Sequence, residues 1–302
     1  MAGYPAKVIF DKRTEPKRIL NFNEIFKIDR VLGKGGFGEV IKVTDKVSRK
    51  SYAIKKLKQV DGSTYSEINM LITLSNYKSL RNHIVKYYDR FMYNTDFCIL
   101  MEYIPGIDAS KYFQTYPFGL VNFIDFGIWL TNILNELHKL GFVHRDIKPA
   151  NIMVSTTSSG LKTYKLIDFG LSCRTSIIND PLKCSVSFAG TYPYMSPELL
   201  NGSFKNNINK YYKTSDMYAA GITLYNILSG RYPYQLDNFG RAIGKVYTNI
   251  STPNVSKDLN VLLNNILKGM VYINPDNRLS AAKSLQKFKI YKKRLNLFNK
   301  KN

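Results

Sequence analysis

The segment His144-Arg145-Asp146-Ile147-Lys148-Pro149-Ala150-Asn151 places a carboxylate, an ammonium and a carboxamide within the six residues from Asp146 to Asn151. Apolar runs flank it, Gly141-Phe142-Val143 before and Ile152-Met153-Val154 after. Such runs read as buried, strand-like segments, so the polar residues between them sit on a loop fixed at both ends. A second carboxylate, Asp168, follows Tyr164-Lys165-Leu166-Ile167, and Gly170 just beyond it allows a sharp change of direction. Two carboxylates and an amide on neighbouring loop ends suit a magnesium ion, which takes oxygen ligands and commonly shares them with phosphates.

Each of these residues alone has an ordinary role open to it: a single loop Asp more often caps a helix or closes a turn than acts as a base. The ordered set is much harder to obtain by accident. His-Arg-Asp-x-Lys-x-x-Asn followed by Asp-Phe-Gly resembles the catalytic core of eukaryotic-type protein kinases, and Lys148, two places after Asp146, resembles their serine/threonine branch. The resemblance implies an α+β, two-lobed protein-kinase-like fold. Its small N-lobe would hold an antiparallel sheet and one main helix, and its larger C-lobe would be mostly helical. It also implies transfer of phosphate from ATP, with Mg2+, to serine or threonine hydroxyls of protein substrates.

The elements that must position this chemistry can be followed along the chain. Residues 26–32 alternate as a strand, and residues 39–44 as another; between them lies Gly33-Lys34-Gly35-Gly36-Phe37-Gly38. Before a helix, G-x-G-x-x-G would point to a dinucleotide site; between strands it resembles the kinase glycine-rich loop. Without Cβ atoms, backbone N–H groups can approach phosphate oxygens, and Phe37 at the tip can shield them. The resemblance adds Leu32 and Val40 on either side to the nucleotide's surroundings. Residues 52–57 read as a third strand, in which small Ala53 leaves space for a flat base and Lys55, on the same side, points toward the phosphates. A buried lysine needs a carboxylate. Glu67 is the only acidic residue between Asp61 and Asp89, and it begins the helical pattern Ile68, Leu71, Ile72. By resemblance Lys55 and Glu67 pair, while Lys56 faces the other side of the strand. Residues 97–103 form a buried strand ending at Pro105-Gly106, which resembles the connection between lobes. There the backbone of Glu102, Tyr103 and Ile104 would bond adenine, Met101 would limit depth behind it, and Asp108 would meet the ribose or a substrate.

Phe123, Phe126, Leu130, Ile133, Leu134 and Leu137 repeat at helical spacing, with Gly141 as a stop. The polar stretch between Gly170 and Ser196 resembles an activation loop, and it runs into Gly190-Thr191-Tyr192-Pro193-Tyr194-Met195-Ser196-Pro197-Glu198. The family usually has Ala-Pro-Glu where this chain has Ser-Pro-Glu. The resemblance assigns Asp146 as base, Lys148 as a cation beside the transferring phosphate, and Thr191 as a hydroxyl near both. It assigns Asn151 and Asp168 to magnesium, Lys55 to the phosphates, Glu198 to an ion pair with Arg278, and Asp216 to bracing the catalytic loop. Arg145 would meet a phosphate on Ser187 or Ser185. Ala150 stands where family members that choose basic peptides often carry Glu, which argues against a strong preference for arginine-rich sites.

These readings divide the chain into an N-terminal extension, 1–24, broken by Pro5 and Pro16 and packed loosely or not at all; an N-lobe, 25–104; a C-lobe, 105–290; and a basic tail, 291–302. At 302 residues and 44% hydrophobic content the chain is long enough for two packed lobes. Its three cysteines, Cys98, Cys173 and Cys184, are odd in number and lack metal-site spacing, so they read as free thiols in a reducing compartment. No window has about 18 uninterrupted apolar residues, and the first residues lack the apolar core of a secretory signal. The expectation is a cytoplasmic protein, with the nucleus also open to it. The net charge of +22 is spread along the chain, densest at the end. It reads as a solvated basic surface that attracts acidic protein substrates more easily than basic ones, and no nucleic-acid-binding motif accompanies it. Three other readings compete. A non-catalytic kinase-like scaffold typically lacks a motif residue, whereas Lys55, Glu67, Asp146, Asn151 and Asp168 are all in place. A small-molecule or lipid kinase fits poorly with Lys148 and the segment from Gly190 to Glu198, which resemble a platform for a peptide. A nucleic-acid-binding protein would need steeply salt-dependent binding.

Overall fold

The chain packs as two compact units, residues 1–106 with 165–170, and residues 107–164 with 171–302. The structure is a computed structural model that describes residues 17–18, 22–35, 38–57, 62–116, 119–175, 182–185, 187–203, 207–238, 242–243 and 247–300.

The first unit is built on a sheet whose strands are β1 (Lys17–Arg18), β2 (Phe26–Gly35), β3 (Gly38–Asp45), β4 (Ser51–Leu57), β5 (Tyr87–Tyr93) and β6 (Asp96–Glu102), in the order β1-β5-β6-β4-β3-β2. All pairings are antiparallel except β1 with β5. Alternation buries Ile41 and Val43 of β3 together with Ile54 of β4, and these meet Phe22, Phe26, Phe91, Cys98 and Leu100 in one apolar cluster. Among the described residues two helices complete the unit, α1 (Phe22–Ile25) and α2 (Gly62–Ser75). Ile68, Leu71 and Leu74 of α2, at three-residue steps, are buried.

The N-terminal extension packs more closely than the sequence suggests. Phe22 is only 1% exposed and stacks on Tyr93 at 4.2 Å between ring centroids, and Lys17 and Arg18 pair with Phe91 and Met92. An aromatic ring buries enough apolar area to hold its segment against a sheet. The unit therefore begins ahead of residue 25. Residues 1–16 and 19–21 lie outside the described residues.

β7 (Ile107–Asp108), β9 (Ile152–Thr156) and β10 (Lys162–Leu166) form one small sheet, and in the second unit β8 (Phe142–Val143) pairs with β11 (Cys173–Arg174). A hairpin of β12 (Gln235–Leu236) and β13 (Ala242–Ile243) lies later in the chain. The α-helices of this unit, among the described residues, are α3 (Ala109–Thr115), α4 (Leu120–Lys139), α5 (Pro197–Leu200), α6 (Ile208–Ser229), α7 (Lys257–Met270) and α8 (Ala281–Asn299). An antiparallel sheet with one long helix, followed by a mostly helical unit, is the α+β arrangement expected. The apolar stripe of α4 is buried as its periodicity requires, and α8 packs along it. Gly127 permits close approach there, because a Cβ would stand 2.9 Å from the Phe288 ring. No helix among the described residues is long and apolar enough to cross a membrane.

Two further expectations need correction. Residues 291–299, read as part of a basic tail, continue α8, which runs to Asn299 with Tyr291 and Leu295 buried and Lys292 Nζ 2.5 Å from Asp125 Oδ1. Phe288, Tyr291 and Leu295 prolong the three-to-four residue spacing on one face while the basic residues occupy the other. Nor are all three cysteines free: Cys173 and Cys184 form a disulfide. Arg174 N–H donates to Leu182 C=O (2.6 Å) and Cys184 N–H to Arg174 C=O (2.9 Å). These bonds bring the two Cα atoms to 4.9 Å, inside the span a bridge accommodates. Cys98 stays a buried thiol whose pKa burial pushes up to about 12.

The pair predicted between Glu198 and Arg278 lies in this unit. Arg278 Nη1 and Nη2 reach the two carboxylate oxygens at 2.6 and 3.0 Å, and the side chains are 0% and 2% exposed. The guanidinium also donates to the carbonyls of Thr214, Tyr272 and Ile273, so its fork of donors is met from several directions.

Candidate active site

In the first unit the strand pleat decides which side chains share a face. Register places Lys55 opposite Val40 and Ile99, and Ala53 opposite Met101. Directly opposed residues point the same way, so Val40, Ala53, Lys55 and Met101 share one face. Lys56 points to the other face, where it pairs with Asp96 at 3.1 Å. Lys55 Nζ lies 3.0 and 2.8 Å from the two Glu67 oxygens and 3.9 Å from Asp168 Oδ1. Burial opposes the charge on Lys55, but Glu67 and then Asp168 outweigh it and hold the ammonium above its ordinary pKa. Burial also pushes the Glu67 carboxyl upward against the pull of Lys55. The two-point contact favours the ionised pair. Glu67 sits in the second turn of α2 rather than at its start, because the helix begins at Gly62.

Asp168 has φ +62°, uncommon for a residue with a Cβ, and its side chain is 48% exposed. The glycine segment is a hairpin from Phe26↔Asp45 down to Gly35↔Gly38. Gly38 is required there: its φ is +146°, and a Cβ would lie 1.9 Å from the Lys56 carbonyl oxygen. Gly33 has open space around it, Leu32 is exposed, and Lys34 pairs with Glu39 at 3.1 Å. Gly36 and Phe37 lie outside the described residues. At the end of β6, Glu102 N–H already donates to Lys86 C=O (2.9 Å), so an adenine contact from Glu102 would fall to its carbonyl. Its carboxylate is held by Lys165 at 2.6 and 2.7 Å, an ion pair the sequence reading missed. The Tyr103 ring lies under Lys42 Nζ (4.9 Å to the centroid), and Ile104 is buried.

In the second unit, Asp146 is the centre of a closed set of contacts. Its Oδ1 accepts from Thr191 Oγ1 (2.7 Å), and its Oδ2 from Lys148 Nζ (2.7 Å) and Asn151 Nδ2 (2.9 Å). Lys148 Nζ also donates to Thr191 Oγ1 at 2.7 Å, which closes a triangle of carboxylate, ammonium and hydroxyl. Burial raises the Asp146 pKa, but Lys148 and Thr191 more than reverse this and hold it below the ordinary carboxylate value. Asn151 donates through Nδ2, which leaves its amide oxygen as the atom a cation would use. Asp108 caps α3, accepting from Lys111 N–H at 3.1 Å and pairing with its ammonium at 3.3 Å, a role the sequence reading did not assign.

Backbone strain and buried polar contacts fix the loop. Arg145 has φ +71°, a conformation that costs on the order of 1–3 kcal/mol and persists only where the surroundings impose it. Here Asp216, 1% exposed on α6, accepts from the N–H groups of His144 (2.9 Å) and Arg145 (2.8 Å). It also lies 3.0 Å from His138 Nε2 on α4, a partner not read from the sequence. The Arg145 guanidinium stacks over the Tyr212 ring at 4.3 Å and donates to Ser187 Oγ and C=O, both at 2.8 Å. Asp168 and Asn151 offer the hard oxygen donors that Mg2+ takes, and Lys55 a paired ammonium suited to phosphate.

Comparison with known proteins identifies the family. A family model described as "Protein kinase domain" matches residues 26–288. The chain is 29% identical over 265 residues to a probable serine/threonine-protein kinase of Dictyostelium discoideum, covering 80% of this chain and 54% of that protein. It is 28% identical to the RAC serine/threonine-protein kinase of Drosophila melanogaster (86% and 41% covered) and 28% identical to mitogen-activated protein kinase kinase 1 of Arabidopsis thaliana (73% and 59%). The chain thus spans about half the length of the curated relatives it matches. With nearly all of its described residues inside the matched span, the chain belongs to the protein kinase family.

Proposed function

We propose that the protein is an ATP-dependent serine/threonine kinase that moves the γ-phosphoryl group of Mg2+-bound ATP onto hydroxyls of protein substrates. The observation that carries the reading is the buried Asp146 carboxylate, kept ionised and aimed by Lys148 and Thr191. Phosphoryl transfer asks a protein mainly for positioning and charge neutralisation. Bound ATP with magnesium supplies the transferable group and part of that neutralisation. Asp146 orients the acceptor hydroxyl and accepts its proton, and Lys148 presents a fixed cation where negative charge develops. Lys55, steadied by Glu67, holds phosphate oxygens; Asp168 and Asn151 hold the cation. Residues 33–38 cover the phosphates, flanked by Leu32 and Val40. Ala53 and Met101 shape the space for the base, the backbone from Glu102 to Ile104 bonds its edge, and Asp108 meets the ribose or a substrate. The net charge of +22 favours acidic protein substrates and a cytoplasmic setting is consistent with the family's chemistry.

The direct test is incubation with radiolabelled ATP, Mg2+ and generic acceptor proteins, followed by phosphoamino-acid analysis. Phosphoserine and phosphothreonine are expected; absence of transfer, or label on tyrosine alone, would overturn the assignment. Lys148→Ala gives a second expected result. Burial raises the Asp146 pKa, and Lys148 is the foremost group lowering it. Without Lys148 the pKa must rise, so the acid limb of the kcat/KM profile should move to higher pH. Rates measured on both proteins from below the ordinary carboxylate pKa up to neutrality check this.

A further inference from the structure

We infer that Cys173 and Cys184 are a reversible oxidation site that sets the order of the segment facing the catalytic loop. The inference rests on the kinase reading only for its effect on turnover.

The bridge stands at a junction between two sets of contacts. On one side Cys173 lies in β11, opposite Val143 of β8, and Val143 runs directly into His144-Arg145-Asp146. Thr175 N–H and Oγ1 both donate to the Gly141 carbonyl, at 2.7 and 2.9 Å, fastening the same strand pair. On the other side Cys184 leads into Ser185, whose carbonyl accepts from Tyr212 Oη (2.9 Å), and Ser187, which accepts from Arg145. The chain then reaches Gly190 at φ +135°, where a Cβ would stand 3.2 Å from the Arg145 carbonyl oxygen, and Thr191 on Asp146. Both cysteines are buried in a cluster with Val143, Met195, Leu199 and Tyr212. The covalent link thus ties the strand that delivers Asp146 to the segment that delivers Thr191.

A cross-link between residues 11 apart fixes Cys184, and the chain leading out of it, beside Cys173 of β11. Once the bond is cut, Cys184 loses its covalent anchor on β11, the described residues that follow it keep their hydrogen bonds, ring contacts and apolar cluster, and conformers lacking the Ser187–Arg145 and Thr191–Asp146 contacts gain population. The chemistry balances with a peroxide as oxidant. One thiolate attacks a peroxide oxygen, the O–O bond breaks and the first water leaves. The second thiol attacks the resulting sulfenic sulfur, the S–O bond breaks and the second water leaves. Two electrons and two protons pass from the thiols to the peroxide. A dithiol reverses the change through a mixed disulfide and is itself oxidised to a disulfide. Burial of both sulfurs makes exchange depend on local opening, so interconversion is slow compared with turnover.

The full chain should be equilibrated in mixtures of oxidised and reduced dithiothreitol, with thiol status read by alkylation and mass spectrometry. Reduction is expected to raise amide hydrogen exchange across residues 182–195 and to lower kcat about tenfold, within the usual range for a conformational coupling. Reoxidation by hydrogen peroxide should restore both. The double variant Cys173→Ser/Cys184→Ser should behave as the reduced protein and ignore the redox buffer, while Cys98→Ser should respond like wild type. Equal exchange in the two states would overturn the inference, as would a changed exchange with unchanged kcat. Should no phosphate transfer occur in either state, the kinase reading fails, and exchange across 182–195 still decides whether the bridge orders the segment.

Discussion

Replacing Asp146 with alanine should lower turnover by roughly a hundredfold or more, with ATP binding largely kept. The carboxylate is the common acceptor for Thr191, Lys148 and Asn151, so its loss removes the proton acceptor and the anchor of three neighbours together. ATP binding should survive because Lys55, Glu67 and the glycine hairpin lie in the other unit and do not depend on Asp146 for their mutual contacts. Asp146→Asn keeps the volume and one acceptor oxygen. It should restore folding to near wild type and leave turnover low, which separates the role of the base from that of the anchor. Steady-state rates with a protein acceptor, set beside nucleotide affinity by calorimetry, are the measurements. A wild-type rate in Asp146→Ala would exclude the residue as base.

The largest effect on stability is expected at Arg278. Arg278→Ala removes one partner of a fully buried pair and leaves the Glu198 carboxylate, 3% exposed, without its cation. Breaking such a pair typically costs about 3–5 kcal/mol, because the remaining charge is desolvated and uncompensated. For a unit of this size that corresponds to a fall in Tm of roughly 6–20 °C. Three carbonyls, of Thr214, Tyr272 and Ile273, lose a donor in the same step. The double variant Glu198→Gln/Arg278→Met removes both charges and should unfold at a higher temperature than Arg278→Ala alone. Thermal unfolding by circular dichroism orders the three proteins. A single variant as stable as wild type would show that the pair carries no such weight.

The contrast between what was legible and what was not has a physical pattern. Lys55 and Glu67 could be matched because strand alternation gives Lys55 a face and the chain offers a single carboxylate between Asp61 and Asp89. The stripe of α4 was equally plain, since its apolar positions repeat without interruption. By contrast, the end of α8 carries so many basic residues that Tyr291 and Leu295 were lost among them, although they continue the register of Phe288. The Cys173–Cys184 bridge could not be read because local spacing says nothing about two segments paired side by side. His138 against Asp216, and Lys165 against Glu102, join residues 78 and 63 positions apart, and no local pattern announces either. Phe22 was hidden by its polar neighbours; only the aromatic cluster around it shows why the segment is held.

The clasp formed by Asp216 has a further implication. One carboxylate on α6 holds two successive amides of the catalytic loop, so the position of that loop is measured from the axis of a helix in the apolar interior. Small repacking changes along α6, at side chains remote from any reacting atom, would carry the amides with them as a rigid lever carries its tip. Variants of Ile222 or Leu224 that scarcely alter melting should therefore announce themselves first as slower catalysts.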